Sequence, residues 1–330
     1  MKKPIKATKP TAKKTAPKTK APTKTAAAVG ASRPHVFIQS NAKQSIGAIV
    51  SAYSMKRNSA HANDFDVTII NQEDYPFFRS RDGQTYKRHG VTRTWNEGDL
   101  QSFTLTRFLP PQLMKFKGRA LIVDPDVFAA GDVWELLTCH MQGKAVLCRG
   151  SKFKNGAFAS SVMLLDCAKL THWDVEKGFN ELFEGKRDYH EWISLLLEDR
   201  STIGAFADVW NDFDRLTPET KLLHNTRRRT QPWKSGLPVD YTPTEFVPII
   251  GWIMRARRKL FGDHGLLGRY ARHPDRNQEA FFFGLLRECV AKGLINSSVL
   301  REAMAHNYIR HDALDVMANT PELATLKKAS

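Results

Sequence analysis

Apolar runs and polar interruptions alternate through most of the chain. HVFIQS (His35–Ser40) is a short continuous apolar run of the kind a buried strand shows, and a helical spacing follows through Ile46, Ala52 and Met55. A second strand is predicted at DVTIIN (Asp66–Asn71), a helical stretch over 102–109 that stops at Pro110-Pro111, and a third strand over 119–126, RALIVDPD. A helix over 133–141, strands over 144–148 and 160–166, and helical stretches over 174–184 and 189–199 continue the rhythm. This alternation predicts an α/β domain over residues 35–242, built on a mainly parallel sheet covered on both faces. Residues 72–100 break it. They are rich in charge, glycine and aromatics and long for a plain connection, which marks a candidate lid or acceptor-binding loop. Beyond Pro243 only helical patterns remain, over 248–261, 276–292 and 298–317, so residues 243–330 are expected to form a helical extension.

Charge changes the picture at one end. Residues 1–34 hold nine lysines and Arg33 and no acid, so ten of the sixteen net positive charges lie there. The segment has almost no large apolar side chain, and ordering it would cost backbone entropy with nothing buried in return. A disordered polycationic tail is expected, able to bind polyanions non-specifically through counterion release or to serve only as a solubilising linker. The four cysteines form no C-x-x-C pair, which argues against a zinc ribbon or a disulfide framework and fits a reducing compartment. No apolar stretch approaches the roughly 18 to 20 residues of a membrane-spanning helix. A cytoplasmic protein is expected.

Chemistry concentrates in two places. In ALIVDPDVF a β-branched run ends in Asp124 and Asp126, two carboxylates able to share a hard divalent cation such as Mg²⁺ or Mn²⁺. Pro125 restricts Asp124 to extended backbone, and the C-terminal end of a strand is where ligands bind in open α/β sheets. A surface turn is the plainer reading of a lone D-x-D. The second place, TKLLHNTRRRTQPW, adds His224, which could complete a metal site, Arg227, Arg228 and Arg229, which could neutralise a diphosphate, and Trp233, which offers a flat face to a base or sugar ring.

Four blocks in order carry a family resemblance: the opening strand, loop and helix with Gly47 and Ser54; Ser102 to Arg107 followed by the D-x-D strand; FASSVMLLD (Phe158–Asp166); and H-N-T-x-x-x-x-Q-P-W. Together they resemble the family 8 nucleotide-sugar glycosyltransferases, the group that includes glycogenin and lipopolysaccharide α-galactosyltransferases. The resemblance implies a GT-A type Rossmann-like α/β fold, a UDP-glucose or UDP-galactose donor, and Mn²⁺ or Mg²⁺ held by Asp124, Asp126 and His224. It further implies hexose transfer to a saccharide or glycolipid acceptor with retention of configuration. It places Arg107 on the donor, Asn41 and Lys43 at the nucleoside, and Asp124, Arg228, Trp233 and Lys234 in donor binding. His190 and Glu191 fall where the family contacts the anomeric centre or acceptor. The sequence departs from the pattern at Asn41, where an acid is usual, at Gln44, where an aromatic is usual, and at Ala159 and Ser161, which replace Asn and Gly. Gln231 replaces the phosphate-binding Lys before Pro-Trp, so one of Arg227 to Arg229, or Lys234, would have to supply that charge.

Residues 247–262, VPIIGWIMRARRKLFG, mix apolar and basic side chains in a composition compatible with peripheral contact at an anionic inner membrane surface or with a helix packed on the catalytic domain. A catalytically silent, transferase-like scaffold acting through its basic tail is the alternative function. It would be expected to lose its metal ligands, and all three are present.

Overall fold

The computed structural model describes residues 33–150, 157–241 and 268–323. The expected polycationic tail and the basic-apolar segment 247–262 fall almost wholly outside these residues. A six-stranded sheet has the order β2 (Asp66–Asn71), β1 (His35–Ser40), β5 (Arg119–Val123), β8 (Phe158–Asp166), β7 (Val146–Gly150), β9 (Ile203–Phe206). Strands β1, β2 and β5 are mutually parallel, as are β7 and β9, whereas β8 runs antiparallel to both its neighbours. The sheet is therefore mainly parallel, as expected, with β8 as its one antiparallel strand among those described.

The period-two rule explains why these strands read as unbroken apolar runs. Val36, Ile38, Leu121, Val123, Val162 and Leu164 enter one core with Ala48 and Met55 of α1 (Ser45–Arg57) and with Leu136 and Leu137 of α3 (Trp134–Thr138). Their neighbours Phe37, Ala120, Ile122, Met163 and Leu165 enter the opposite core, with Phe78, Trp95, Phe108, Phe179 and Trp192. Trp95 and Phe78 come from the 72–100 stretch, which contains the hairpin β3 (Thr85–Arg88) and β4 (Val91–Thr94). The aromatics expected of a lid are thus structural: Phe78 is fully buried and Trp95 nearly so, both packed on Phe179 of α4 (Val175–Phe183).

Several boundaries differ from expectation. The 102–109 stretch is a 3-10 run over Ser102–Phe108, and the prolines open the next helical turn, α2 (Pro110–Leu113), instead of closing the previous one. The 189–199 helix ends early, as α5 (Tyr189–Ile193), with Leu195 in the left-handed region at φ 57°. The strand expected over 119–126 stops at Val123, and β6 (Val127–Ala129) joins a separate three-stranded sheet with β11 (Leu222–His224) and β10 (Asp212–Phe213).

Past residue 268 come α6 (Arg276–Ala291), α7 (Ser297–Ala305) and α8 (Ala313–Ala318), the last two separated by Asn307 at φ 59° where one helix was expected. Phe282, Phe283 and Leu286 of α6 share a core with Ile46 and Val50 of α1 and Phe128 of β6. Glu288 fixes the same contact by accepting from Tyr53 Oη at 2.6 Å and from Arg57 Nε at 2.6 Å. Among the described residues, no helix is long and apolar enough to cross a membrane.

Candidate active site

The D-P-D segment forms the turn between β5 and β6. Asp124 N donates to Ser161 O at 2.9 Å and Val127 N to Asp124 O at 3.2 Å, so the turn is fixed from β8 on one side and closes on itself on the other. Helix α1 grips the outgoing strand: Ser51 Oγ donates to Val127 O at 2.6 Å, and Ser54 Oγ accepts from Ala129 N at 2.8 Å. Antiparallel pairing of β6 with β11 sets His224 opposite Val127, and Asn225 N donates to Asp126 O at 3.1 Å. Strand pairing is what brings His224, a hundred residues away in sequence, to the aspartates.

Asp124, Asp126 and His224 each offer one ligand atom, and these atoms lie within 4.8 Å of one another; among the described residues no other such group of His, Cys, Asp and Glu is found. His224 Nε2 is 3.3 Å from Asp126 Oδ1. Its Nδ1 is 2.9 Å from Asn211 Oδ1, while Asn211 Nδ2 donates to Ser161 Oγ at 3.0 Å. With the amide nitrogen so engaged, Oδ1 accepts and a proton sits on Nδ1, so that when the ring is neutral its Nε2 lone pair points at the carboxylates.

Both carboxylates are oriented by amide donors. Gln39 Nε2 donates to Asp124 Oδ1, which also accepts from Arg107 Nη2 at 3.0 Å, and Gln231 Nε2 donates to Asp126 Oδ2 at 2.9 Å. Among the described residues no donor reaches Asp124 Oδ2. Burial raises the Asp124 carboxyl above its ordinary range, as does Asp126, against the opposing pull of Arg107 and His224. Burial works against charging His224, but Asp126, with help from Asp124 and Asp214, lifts its pKa above the ordinary value. Two clustered carboxylates and an imidazole nitrogen aimed at them fit a divalent cation. An O,O,N donor set suits Mn²⁺ as well as Mg²⁺.

The cluster lies in a cleft of about 210 Å³ walled by Gln44, Leu100, Phe103, Thr226, Arg228 and Gln231. Of the other residues predicted from sequence, Arg228 alone is in the wall. Arg107 is 6% exposed and bridges Asp124 to Ser160 Oγ at 2.5 Å, so its guanidinium holds Asp124 and is absent from the described cleft wall. Asn41 Nδ2 donates to Asp99 O and Leu100 O at 3.3 and 3.4 Å, fastening the wall from behind, and its buried Oδ1 has no partner among the described residues. Lys43 Nζ donates to Gly98 O.

Two expectations fail on burial. Trp233 is 2% exposed, packed on Phe128 and Phe282 at ring distances of 5.6 and 4.7 Å, and has no face left for a base or sugar. Lys234 is fully buried, donating to Asp240 Oδ2 at 3.0 Å and Asn307 O at 3.1 Å, so it cannot be the phosphate cation. His190 and Glu191 lie on α5, outside the cleft wall. His190 stacks on His89 at 3.6 Å and Glu191 is exposed. Asp188 caps that helix and also accepts from His89 N and Gly90 N at 3.1 and 2.8 Å, tying the hairpin to it.

Sequence reasoning missed Gln39, Asn211 and the role of Gln231. A glutamine inside the buried run HVFIQS was a readable signal, because a buried amide needs partners. Asn211 lies in no motif and gave none.

No protein-family model matches the chain, and no curated protein does. Among solved structures the chain is similar to the glycosyltransferase GlyE of Streptococcus pneumoniae, at 14% identity and a TM-score of 0.44, over 80% of this chain and 64% of that one. It thus spans under two thirds of GlyE. It is also similar to the galactosyltransferase LgtC, solved with donor and acceptor sugar analogues, at 12% identity and a TM-score of 0.42 over 61% of this chain and 89% of LgtC. Mouse xyloside xylosyltransferase 1 gives 11% identity and a TM-score of 0.38 over 59% of this chain and 98% of that one.

Proposed function

We propose that this chain is a metal-dependent glycosyltransferase of the family 8, GT-A type, moving a hexose from a nucleotide-sugar donor to a saccharide acceptor with retention. The observation that carries the reading is the meeting of Asp124, Asp126 and His224 within 4.8 Å at the ends of β5 and β11, with Nδ1 of the imidazole engaged by Asn211 and Nε2 toward Asp126. UDP-glucose or UDP-galactose is the donor and Mn²⁺ the cation in this reading, and a glycolipid is one form the acceptor takes.

A cation bound by these three side chains would neutralise the charge that grows on the departing diphosphate. The protein's own part is to keep the ligands aimed: Gln39 and Arg107 restrain Asp124, Gln231 restrains Asp126, and Asn211 restrains His224. In the transfer itself, the acceptor oxygen bonds to the anomeric carbon as the bond from that carbon to the phosphate oxygen breaks. The acceptor's proton passes to the departing phosphate oxygen. Among the described residues, the acidic side chains in the cleft wall are Asp124 and Asp126, both taken as ligands in this reading. With no third carboxylate among the described wall residues to act as nucleophile, attack from the face the phosphate leaves is favoured over a covalent intermediate.

A donor screen tests the reading. The protein is incubated with Mn²⁺, a panel of nucleotide sugars and mixed saccharide acceptors, with release of nucleoside diphosphate followed and Asp124→Ala as control. Release from one donor by the wild type, reduced at least about a hundredfold in the variant, is expected. No release from any donor, or equal release by the variant, rejects it, and an inverted anomeric product by NMR rejects retention.

A further inference from the structure

The block that opens at His224 lacks the usual lysine before Pro-Trp, and Gln231 stands in its place. Four nearby cations were candidates to replace its charge. Lys234 is excluded by its complete burial against Asp240. Arg227 projects outward, 71% exposed and 3.9 Å from Asp214, and neither it nor Arg229 enters the cleft wall. Arg228 does. It shares that wall with Asp124, Asp126, His224 and Gln231, and its guanidinium lies over the Tyr241 ring at 5.4 Å. Stacking on an aromatic face holds the planar group in place without consuming its N–H donors. Gln231 also lines the cleft, but its amide nitrogen is already engaged: Nε2 is shared between Asp126 Oδ2 at 2.9 Å and Asn225 O at 3.2 Å. A lysine there would set a full positive charge against a metal-binding carboxylate. The neutral amide orients Asp126 and leaves its charge to the metal.

We infer that the two jobs are divided in this protein: Arg228 is the side chain that meets the diphosphate of the donor, and Gln231 is a positioning residue that aims Asp126 at the cation. The inference rests on the proposed reading of the cleft as a metal and diphosphate site.

The full-length chain is tested by calorimetry with two probes, Mn²⁺ alone and inorganic pyrophosphate presented as its Mn²⁺ complex, the metal-free pyrophosphate binding of the basic N-terminal residues being subtracted. Arg228→Gln should keep Mn²⁺ affinity within twofold and lose about tenfold or more in pyrophosphate affinity, the worth of a charge-assisted hydrogen bond. Arg227→Gln and Arg229→Gln should keep both. Gln231→Leu, near in volume and without a donor, should lose about 10–100-fold in Mn²⁺ affinity, the usual cost of removing a group that orients a ligand, with the metal-free melting midpoint close to wild type. A melting midpoint that collapses in Gln231→Leu is met by Gln231→Met and by Mn²⁺ spin resonance on the folded fraction, where wild-type affinity overturns the positioning role. If wild type binds both probes and Arg228→Gln does too, or if Arg227→Gln or Arg229→Gln loses as much, the assignment of Arg228 falls and the reading of the site stands. If wild type binds neither probe, both fall.

Discussion

Asn211 Oδ1 sits 2.9 Å from His224 Nδ1, and the opposite nitrogen of the same ring faces Asp126 Oδ1 at 3.3 Å. One hydrogen bond thus decides which imidazole nitrogen carries a lone pair toward the carboxylates. Asn211→Ala should let the ring change tautomer and rotate, lowering Mn²⁺ affinity about 10–100-fold in calorimetry. Asn211→Asp keeps an acceptor at the same place and should lose less. Equal affinity in Asn211→Ala and wild type would show that the ring needs no such support.

A proton and the proposed metal would compete for the same nitrogen of His224. In the metal-free protein His224 has its pKa raised chiefly because Asp126 outweighs the cost of burial, so its contribution to stability is full below the ordinary imidazole pKa and is lost as pH rises through the raised value. A cation acts in the opposite sense, since it binds only the neutral ring. The increase in melting midpoint produced by saturating Mn²⁺ should therefore widen as pH is raised from about 5.5 to about 7.5. Calorimetry near pH 6 in buffers of different ionisation enthalpy should show proton release. A midpoint increase that is flat across this range would place the ligands elsewhere.

The alternation of Val36 and Ile38 against Phe37, and of Leu121 and Val123 against Ala120 and Ile122, made the strands and the α/β class legible, because each run feeds both faces of one sheet. The candidate metal ligands were legible for a different reason: paired acids after an apolar run, and a histidine in a distinctive block, carry their chemistry in residue type alone. What the sequence hid was burial. Trp233 and Lys234 look like ligand-binding groups in one dimension, yet α6 and the 307 turn cover both. The direction of β8 was hidden too, since an apolar run has no sign.

Gly47 shows how a small residue packed against the D-P-D turn supports the cleft. A Cβ built on Gly47 would lie 2.9 Å from the Pro125 carbonyl oxygen, inside the contact that real side chains make. The obstacle is backbone, and it lies between Asp124 and Asp126. Alanine would gain up to about 1 kcal/mol of helix propensity at this α1 position, but forcing α1 and the turn apart costs about 1–3 kcal/mol. Gly47→Ala should therefore be neutral to moderately destabilising in denaturant melts and should weaken Mn²⁺ binding severalfold, because the turn must move. Unchanged Mn²⁺ affinity would show that the turn shifts as a rigid unit.

Lys234 tests the correction made on burial. Its ammonium is fully enclosed and its partners are Asp240 Oδ2 at 3.0 Å and Asn307 O at 3.1 Å, while Asp240 Oδ1 accepts from Tyr270 Oη. That network ties the 232–241 segment to the strand-like stretch after residue 268 and to the turn before α8. Burial raises Asp240, but Lys234 and the Tyr270 hydroxyl outweigh it and hold its pKa below the ordinary value, so the carboxylate's contribution is present at neutral pH and is lost as pH falls through the lowered pKa. Lys234→Met would leave Asp240 charged without its main partner and should cost about 3–5 kcal/mol in denaturant unfolding at pH 7, with a smaller loss near pH 4 where the carboxyl begins to take up a proton. Because the side chain never reaches the cleft, the folded variant should bind Mn²⁺ pyrophosphate as wild type does. A variant that keeps its stability but loses pyrophosphate would return Lys234 to the donor site and displace Arg228 from it.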